Sequence, residues 1–411
     1  MHVAVVGAGI VGVCSALHLR NAGHDVTLID PRAPGTATSF GNAGGIVTGA
    51  VVPNSTPALR RNLFHILRDR DSPVRLRWSY LPKVSPWLLR FLLEGRDARV
   101  RQIAQALQPL STRAYEAHRE LIALSGADGI VRPVGWLKVY ATEAGLAETQ
   151  YDREIMAANN VRFDVLQADD IRQLEPALAP RFIKGLFQPD GAFVSSPYKL
   201  TAAYAGQFVR MGGAIVQERV RGVTPGPTGV TLDCELGYRT ADAVVIAAGA
   251  WSKELVRHVG DRVLLDTERG YHLNLARGEA GDLRRPVVFA DQGGFVLAPM
   301  QDGIRLTSGV ELAGLDAPPD FAPIRRLVPR ARDVLPGLSD RVTRQWMGYR
   351  PSTPDSLPVI GRSPRSPHVY YAFGHQHLGL TLSAITGRLI AALVSGLAPD
   401  IDLSPYRIER F

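Results

Sequence analysis

The stretch Val3-Ala4-Val5-Val6-Gly7-Ala8-Gly9-Ile10-Val11-Gly12 decides how the rest of the chain is read. A short β-branched run feeds a glycine turn. An apolar helical pattern follows to Ala22, and a second strand pattern, Asp25-Val26-Thr27-Leu28-Ile29-Asp30, ends on an acid. In a βαβ unit of this kind Gly7 permits the tight turn, Gly9 lets the main chain approach a pyrophosphate, and Gly12 lets the helix lie against the strand. That helix, Val11 to Ala22, aims its unpaired N–H groups and its dipole at phosphates, with Ile10 and Val11 in the cofactor set. Asp30, with Pro31 after it, is placed to accept hydrogen bonds from an adenosine ribose. The competing reading is a structural turn with no ligand, and strand, helix and acid in register argue for a dinucleotide instead. The unit reads only the AMP half of a cofactor and does not separate NAD from FAD.

At 411 residues the chain has room for two domains, and 45% hydrophobic with 21% charged residues is the composition of a globular enzyme. Cys14 and Cys234 stand far apart in apolar patterns, so no thiol metal site is read and both thiols are expected to be buried and inert. No metal ligand set is expected. The strand begins at Val3, so no signal peptide is read. No apolar run is expected to span a membrane, since Arg388 interrupts the best candidate; the chain is taken as cytoplasmic. The net charge of +8 is concentrated: Arg60 to Arg101 holds eleven basic residues against four acids, interleaved with Leu63, Phe64, Leu67, Trp78, Leu88, Leu89 and Phe91. A basic amphipathic segment of this kind could lie on the anionic inner face of a membrane; the reading favoured over it is a pair of domain helices with solvated basic faces. Nucleic acid is excluded as a partner, because no recognition motif accompanies the charge.

Small residues dominate the loop Ser39-Phe40-Gly41-Asn42-Ala43-Gly44-Gly45, which suits a backbone that approaches a large flat ligand. Helical patterns run from about Leu59 to Leu124. From Pro197 the chain returns to the nucleotide domain, and Ala243-Val244-Val245-Ile246 followed by Ala248-Gly249-Ala250-Trp251 reads as a buried parallel strand ending in small residues beside a nucleotide. No second GxGxxG exists, which disfavours NAD(P)H as a second bound substrate. Residues 260–320 read as β-structure, including Arg262–Leu265, Tyr271–Leu275 and Ile304–Gly309. The last segment, Trp346–Gly361, then a strand and Gly374-His375-Gln376-His377-Leu378-Gly379-Leu380-Thr381 opening a long helix, closes the nucleotide domain. The expected fold class is α/β: a Rossmann-like domain from residues 1–51, 195–259 and 340–411, with an inserted α+β substrate domain from 52–194 and 260–339.

Four stretches carry a resemblance that spans the whole chain in order: Gly7–Gly12 with Asp30; Ser39–Gly45; Asp266-Thr267-Glu268-Arg269-Gly270-Tyr271-His272; and Trp346–Gly361 with Gly374–Thr381. Together they resemble the FAD-dependent D-amino-acid dehydrogenases of the D-amino-acid oxidase, glycine oxidase and sarcosine oxidase superfamily, near D-hydroxyproline dehydrogenases and glyphosate-oxidoreductase-like enzymes. The resemblance implies FAD. It implies a glutathione-reductase-2-type nucleotide domain with a mixed-sheet substrate domain. It places Ser39, Asn42, Ala43, Gly44 and Gly45 against the isoalloxazine and pyrophosphate, the main chain of Val220 by the adenine, and Gly374, His375, His377, Leu378, Gly379, Leu380 and Thr381 along the flavin edge. Ala248, Gly249 and Trp251 join the cofactor set. No cysteine lies between Trp346 and Gly361, so the flavin is expected to be noncovalent.

The chemistry so implied is hydride transfer from a substrate Cα–H to flavin N5, giving an imino acid. Arg350 is the candidate carboxylate anchor, since a guanidinium grips a carboxylate through two parallel hydrogen bonds; the alternative is an ion pair with Asp355. Tyr271 is expected to add a phenol to the same carboxylate, against a role as a packed core tyrosine. His375 is favoured over His377 as a substrate or flavin contact, neither as a general base, and His272 is expected to point away from the face of Tyr271. The electron acceptor is a quinone, an electron-transfer protein or O2. The rival readings are a glycine- or sarcosine-oxidase-type enzyme using O2, a flavin-bearing subunit active only in a hetero-oligomer, and a membrane-surface protein with a vestigial cofactor.

Overall fold

The computed structural model describes residues 1–68 and 72–411, so Asp69, Arg70 and Asp71 of the basic segment lie outside the described residues. A six-stranded sheet runs in the spatial order Ala214–Gln217, Asp25–Asp30, His2–Val6, Ala243–Ile246, Val369–Phe373, Val359–Arg362. All neighbours are parallel except the last pair. The strand His2–Val6 shows why such strands are apolar throughout. Val3 and Val5 pack into a core shared with the helices Ile10–Asn21 and Gly379–Val394, while Ala4 and Val6 pack into a second core on the other face. Alternation puts successive side chains on opposite faces, and here both faces are covered.

The helix Gly379–Val394 lies directly on Ile10–Asn21, and a Cβ at Gly387 would stand 2.7 Å from the Cys14 carbonyl, so only glycine allows this approach. With the preceding turn the segment Gln376–Val394 spans 19 residues and is long and apolar enough to cross a membrane by length and composition. This corrects the expectation that no segment reaches that length: Arg388 alone does not disqualify it. Two-thirds of its best window is buried inside the fold, which makes it a core helix. Both cysteines are buried as expected, and burial pushes the Cys14 thiol up to about 12.

The second domain is a nine-stranded mixed sheet. Its order is Val342–Ser352, Asp266–Leu275, Gly303–Leu312, Phe295–Met300, Val287–Phe289, Trp136–Tyr140, Lys184–Gln188, Asp164–Gln167, with Val74–Leu76 pairing alongside Gly303–Leu312. The strand Val342–Ser352 therefore belongs to the substrate domain, and the expected boundary at 340 falls one strand early. Residues 262–265 form no strand; the strand begins at Asp266. The basic segment forms the helices Pro57–Arg68, Leu81–Glu94 and the start of Asp97–Thr112.

Candidate active site

A cavity of about 630 Å³ runs between the two sheets. At its nucleotide end Gly7, Gly9, Ile10, Val11 and Asp30 form the wall. Gly7 adopts φ +111°, and a Cβ there would meet the Ala247 carbonyl at 2.4 Å. Asp30 is oriented by its own turn: one carboxylate oxygen accepts from Ala8 N at 2.8 Å and the other from Arg32 N at 2.8 Å. The Ser39 hydroxyl accepts from Ile10 N at 2.8 Å, whereas the Gly9 and Val11 N–H groups are without a protein partner among the described residues. Two open donors at a helix N-terminus, a glycine wall and an oriented carboxylate fit the pyrophosphate and ribose of a dinucleotide.

Further in, Ser39, Asn42, Ala43, Gly45, Ala248, Gly249 and Trp251 line the same cavity, as does the run His375–Thr381. The loop is fixed from behind. Asn42 folds back on itself, accepting from Gly44 N at 2.8 Å, and the Thr381 hydroxyl accepts from Val47 N and donates to Gly45 O, both at 3.2 Å. His375 is buried with Nε2 3.0 Å from the Thr386 hydroxyl, and burial lowers it to about 3, which keeps the imidazole neutral. Neither cysteine lines the cavity.

The roof is the cavity-facing side of the nine-stranded sheet. On the strand Asp266–Leu275 the residues Glu268, Gly270 and His272 share one face; opposite them in register stand Arg350, Gly348 and Trp346. The two glycines make room. A Cβ at Gly348 would meet the Trp346 ring at 2.0 Å, and one at Gly270 would meet Arg350 Nη2 at 2.1 Å. Trp346 also crosses Gly41 and stacks on His272 with ring centroids 5.1 Å apart.

Arg350 lies across Gly270 with its donors toward the cavity. Its hydrogen bond among the described residues is Nη1 to Gly309 O at 3.0 Å. Burial lowers the guanidinium from its ordinary value, and the charge of Glu268 opposes that drop. The alternative partner is disposed of: Asp355 is buried against Arg410, with 2.7 Å between Nε and the carboxylate. Glu268 is itself buried, at 5% exposure, and accepts from His377 Nε2 at 2.9 Å. Burial would raise this carboxyl; the hydrogen bond from His377, the charges of His377 and Arg350 and the Ser352 hydroxyl outweigh it, and the group is held below the usual carboxylate range.

Tyr271 is not part of this arrangement. As the odd neighbour of Gly270 and His272 it faces the opposite side of the sheet, where its hydroxyl donates to Glu311 at 2.5 Å and its ring meets Phe321 edge-on. There it lines a separate cavity of about 250 Å³. Strand alternation separates Tyr271 from His272 as expected, but it is His272 that faces the nucleotide domain, with Nδ1 2.9 Å from Gly41 O. Gly12, Pro31, Gly44, Val220 and Gly374 also stand outside the cavity wall. Gly12 keeps the packing role read for it, since a Cβ there would overlap the Gly7 carbonyl at 1.8 Å, and Gly44 packs on Phe193 and Val194. Gly270, Trp346, Gly348 and Thr307 of the roof, and Glu268 buried behind it, carried no site expectation from the sequence. A glycine inside a strand marks a close backbone approach, and that signal was present at 270 and 348.

The "FAD dependent oxidoreductase" (DAO) family model matches residues 2–393. A D-amino-acid oxidase of Bradyrhizobium diazoefficiens is 37% identical, covering 100% of this chain and 99% of that protein. A D-amino acid dehydrogenase of Vibrio cholerae is 29% identical over 99% of both chains. Among solved structures, glycine oxidase from Geobacillus kaustophilus superposes with a TM-score of 0.78 at 23% identity, over 100% of this chain and 98% of that one. The glycine-walled slot, the open helix N-terminus and Asp30 are the features an FAD site requires, and with the match from end to end the chain belongs to the DAO family of FAD-dependent oxidoreductases.

Proposed function

We propose that the chain oxidises the CH–NH bond of a D-amino acid, small secondary amino acids such as D-proline and D-hydroxyproline included. The product is an imino acid that persists or hydrolyses to the keto acid. FAD, when bound, accepts the hydride from the substrate α-carbon. The residues of the chain bind and orient. Arg350 offers its open donors to the substrate carboxylate, a contact that fixes direction as well as affinity. Gly270 makes room for its guanidinium and Gly348 for the Trp346 ring, which walls off one side. His375, held neutral by burial and anchored to Thr386, shapes the edge of the cavity without carrying charge. Positioning of this kind supplies much of the acceleration in a two-component hydride transfer.

The observation that carries this reading is Arg350, a guanidinium in the cavity wall with one main-chain hydrogen bond and, among the described residues, no carboxylate in contact. The preference for D-enantiomers is supported by the names of the two relatives above. The test is anaerobic: D-proline, D-hydroxyproline, D-alanine, sarcosine and their L counterparts are added to the FAD-loaded protein and the flavin band is followed. Bleaching by D-amino acids supports the reading, and no bleaching by any member of the panel refutes it. Admitting air then separates acceptors. Rapid recovery of the band identifies O2; persistence of the reduced state rules O2 out, and reoxidation by an added quinone or electron-transfer protein then identifies the acceptor. We also infer a cytoplasmic chain with a peripheral seat on an anionic membrane, supported by exposed Trp78, Leu89 and Leu93 beside basic side chains. Failure to co-sediment with anionic vesicles at low salt refutes that part.

A further inference from the structure

Behind Arg350 the strand Gly303–Leu312 changes partners. Its pairing with Phe295–Met300 ends at Ser308, and its pairing with Val74–Leu76 starts at Val310. Between them Gly309 takes φ +84°, and the register against Asp266–Leu275 shifts at the same place. A sheet is one strand thick, so Pro73, Ser308, Gly309 and Val310 line both the large cavity and the separate one of about 250 Å³ that Tyr271 faces. The Gly309 carbonyl is also the acceptor of Arg350 Nη1. The two cavities therefore stand back to back across this strand.

The smaller cavity has a chemistry of its own. Two carboxylates lie in its wall, and both are answered. Glu311 accepts from the Tyr271 hydroxyl and stands 3.7 Å from Arg77 and 3.5 Å from Arg269; Asp320 stands 3.1 Å from Arg75. Arg326 and Arg330 lie in the same wall, exposed, and neither side chain has a hydrogen bond or ion pair among the described residues. Arg330 has a prepared seat: Gly293 takes φ +102°, and a Cβ there would stand 2.5 Å from Arg330 Nη1. Pro323, Ile324 and Leu327 give the cavity an apolar side. Positive charge in excess of the acids, set in a concave wall, concentrates the field on an anion more than a flat surface does. We propose that this cavity is a second carboxylate site, which takes a small monocarboxylate with an apolar body. The carboxylate docks on Arg326 and Arg330, whose planar donor forks suit it, and the body rests on Ile324 and Leu327. A doubly charged anion is disfavoured, because Glu311 and Asp320 repel its second charge more than the two open guanidiniums repay. The proposal stands apart from the reading of Arg350, which faces the other cavity.

The test uses the full-length FAD-loaded protein and benzoate, a monocarboxylate with an apolar ring. Equilibrium dialysis with labelled benzoate, carried to about 10 mM, counts every molecule bound per chain, and the flavin absorbance reports those beside the cofactor. The wild type is expected to bind two benzoates, of which the flavin sees one. The double variant Arg326→Gln, Arg330→Gln is expected to weaken the silent one at least about tenfold while flavin titration and turnover stay as in the wild type. Benzyl alcohol, the same ring without the charge, is expected not to displace the silent benzoate. A wild-type protein that binds benzoate only where the flavin reports it, a silent benzoate held as tightly by the double variant, or displacement by benzyl alcohol overturns the proposal. If the flavin reports no benzoate while dialysis finds one that the double variant loses, the second site stands and the reading of Arg350 has failed.

Discussion

Replacing Gly270 with alanine probes the carboxylate anchor without touching its charge. A Cβ at this position would stand 2.1 Å from Nη2 and 2.2 Å from Cζ of Arg350. Neither separation is tolerable, so the guanidinium must leave its seat. Gly270 sits in an ordinary extended conformation, so the substitution adds no backbone strain and the whole effect falls on Arg350. Displacement breaks the 3.0 Å hydrogen bond to Gly309 O and takes the guanidinium out of its place in the cavity wall. Hydrogen bonds to charged groups contribute about 1.5–3 kcal/mol each, and the moved guanidinium keeps part of its Coulomb attraction. A net loss of about 2–3 kcal/mol is expected, which is roughly 30- to 150-fold in KM for the amino acid and in the dissociation constant of benzoate. FAD retention should stay near wild type, because the cradle from Gly7 to Asp30 belongs to the other sheet. The assay is a benzoate titration of the flavin spectrum beside steady-state turnover, with Arg350→Lys run in parallel. A soluble, FAD-loaded Gly270→Ala protein that binds benzoate within about twofold of wild type would refute the reasoning, since the carboxylate would then dock elsewhere.

Four further outcomes are expected. Tyr271→Phe should leave kcat/KM within about threefold of wild type while costing about 1.5–3 kcal/mol of stability through the lost hydrogen bond to Glu311; a larger kinetic loss at unchanged stability would return Tyr271 to the active site. Asp30→Ala should weaken FAD at least about tenfold by fluorescence titration, since it removes both the ribose acceptor and the anchors at Ala8 and Arg32. Asp355→Ala should lower stability in urea unfolding by about 3–5 kcal/mol by stranding Arg410, while turnover per FAD-loaded molecule is unchanged. Stability should also fall as the pH drops below about 6.5. Burial lowers His18 and His118 to about 4 and His272 and His375 to about 3, so the unfolded chain binds protons there that the folded one refuses. The sign is therefore destabilisation on acidification, by up to about 1.4 kcal/mol per pH unit for each histidine; a Tm independent of pH between about 6.5 and 4 would contradict it.

The nucleotide half was legible because its signals are local. The run Val3–Gly12 and the acid at 30 sit within one βαβ unit, and each residue there answers to its immediate neighbours: Gly7 to the turn, Gly12 to Gly7, Asp30 to Ala8. The substrate domain gave up less. Its sheet joins strands as distant in sequence as Val74–Leu76 and Gly303–Leu312, or Trp136–Tyr140 and Val287–Phe289, and periodicity carries no information about which distant strand becomes a neighbour. The boundary at 340 fell short for the same reason. The strand Val342–Ser352 reads like any other, and only its pairing with Asp266–Leu275 assigns it to the roof.

The placement of Tyr271 shows where the residue reasoning stopped one step early. Alternation divides Asp266–Leu275 into an even set (Glu268, Gly270, His272) and an odd set (Arg269, Tyr271, Leu273) but leaves open which set faces the ligand. Aromatic and phenolic chemistry suggested the odd set. Glycine points the other way: a strand interior forfeits packing and entropy at Gly270 and again at Gly348, and both fall on the parity of Arg350 and Glu268. A strand gives up side chains where something else must occupy the space. At Gly270 that occupant is the guanidinium itself, and at Gly348 it is the indole of Trp346. The even set is therefore the one that seats the two large side chains of the cavity wall, Arg350 and Trp346. The odd set puts Tyr271 and Leu273 into the core shared with Ala331 and Val334 of the helix Val328–Val334, on the far side of the sheet from the nucleotide domain.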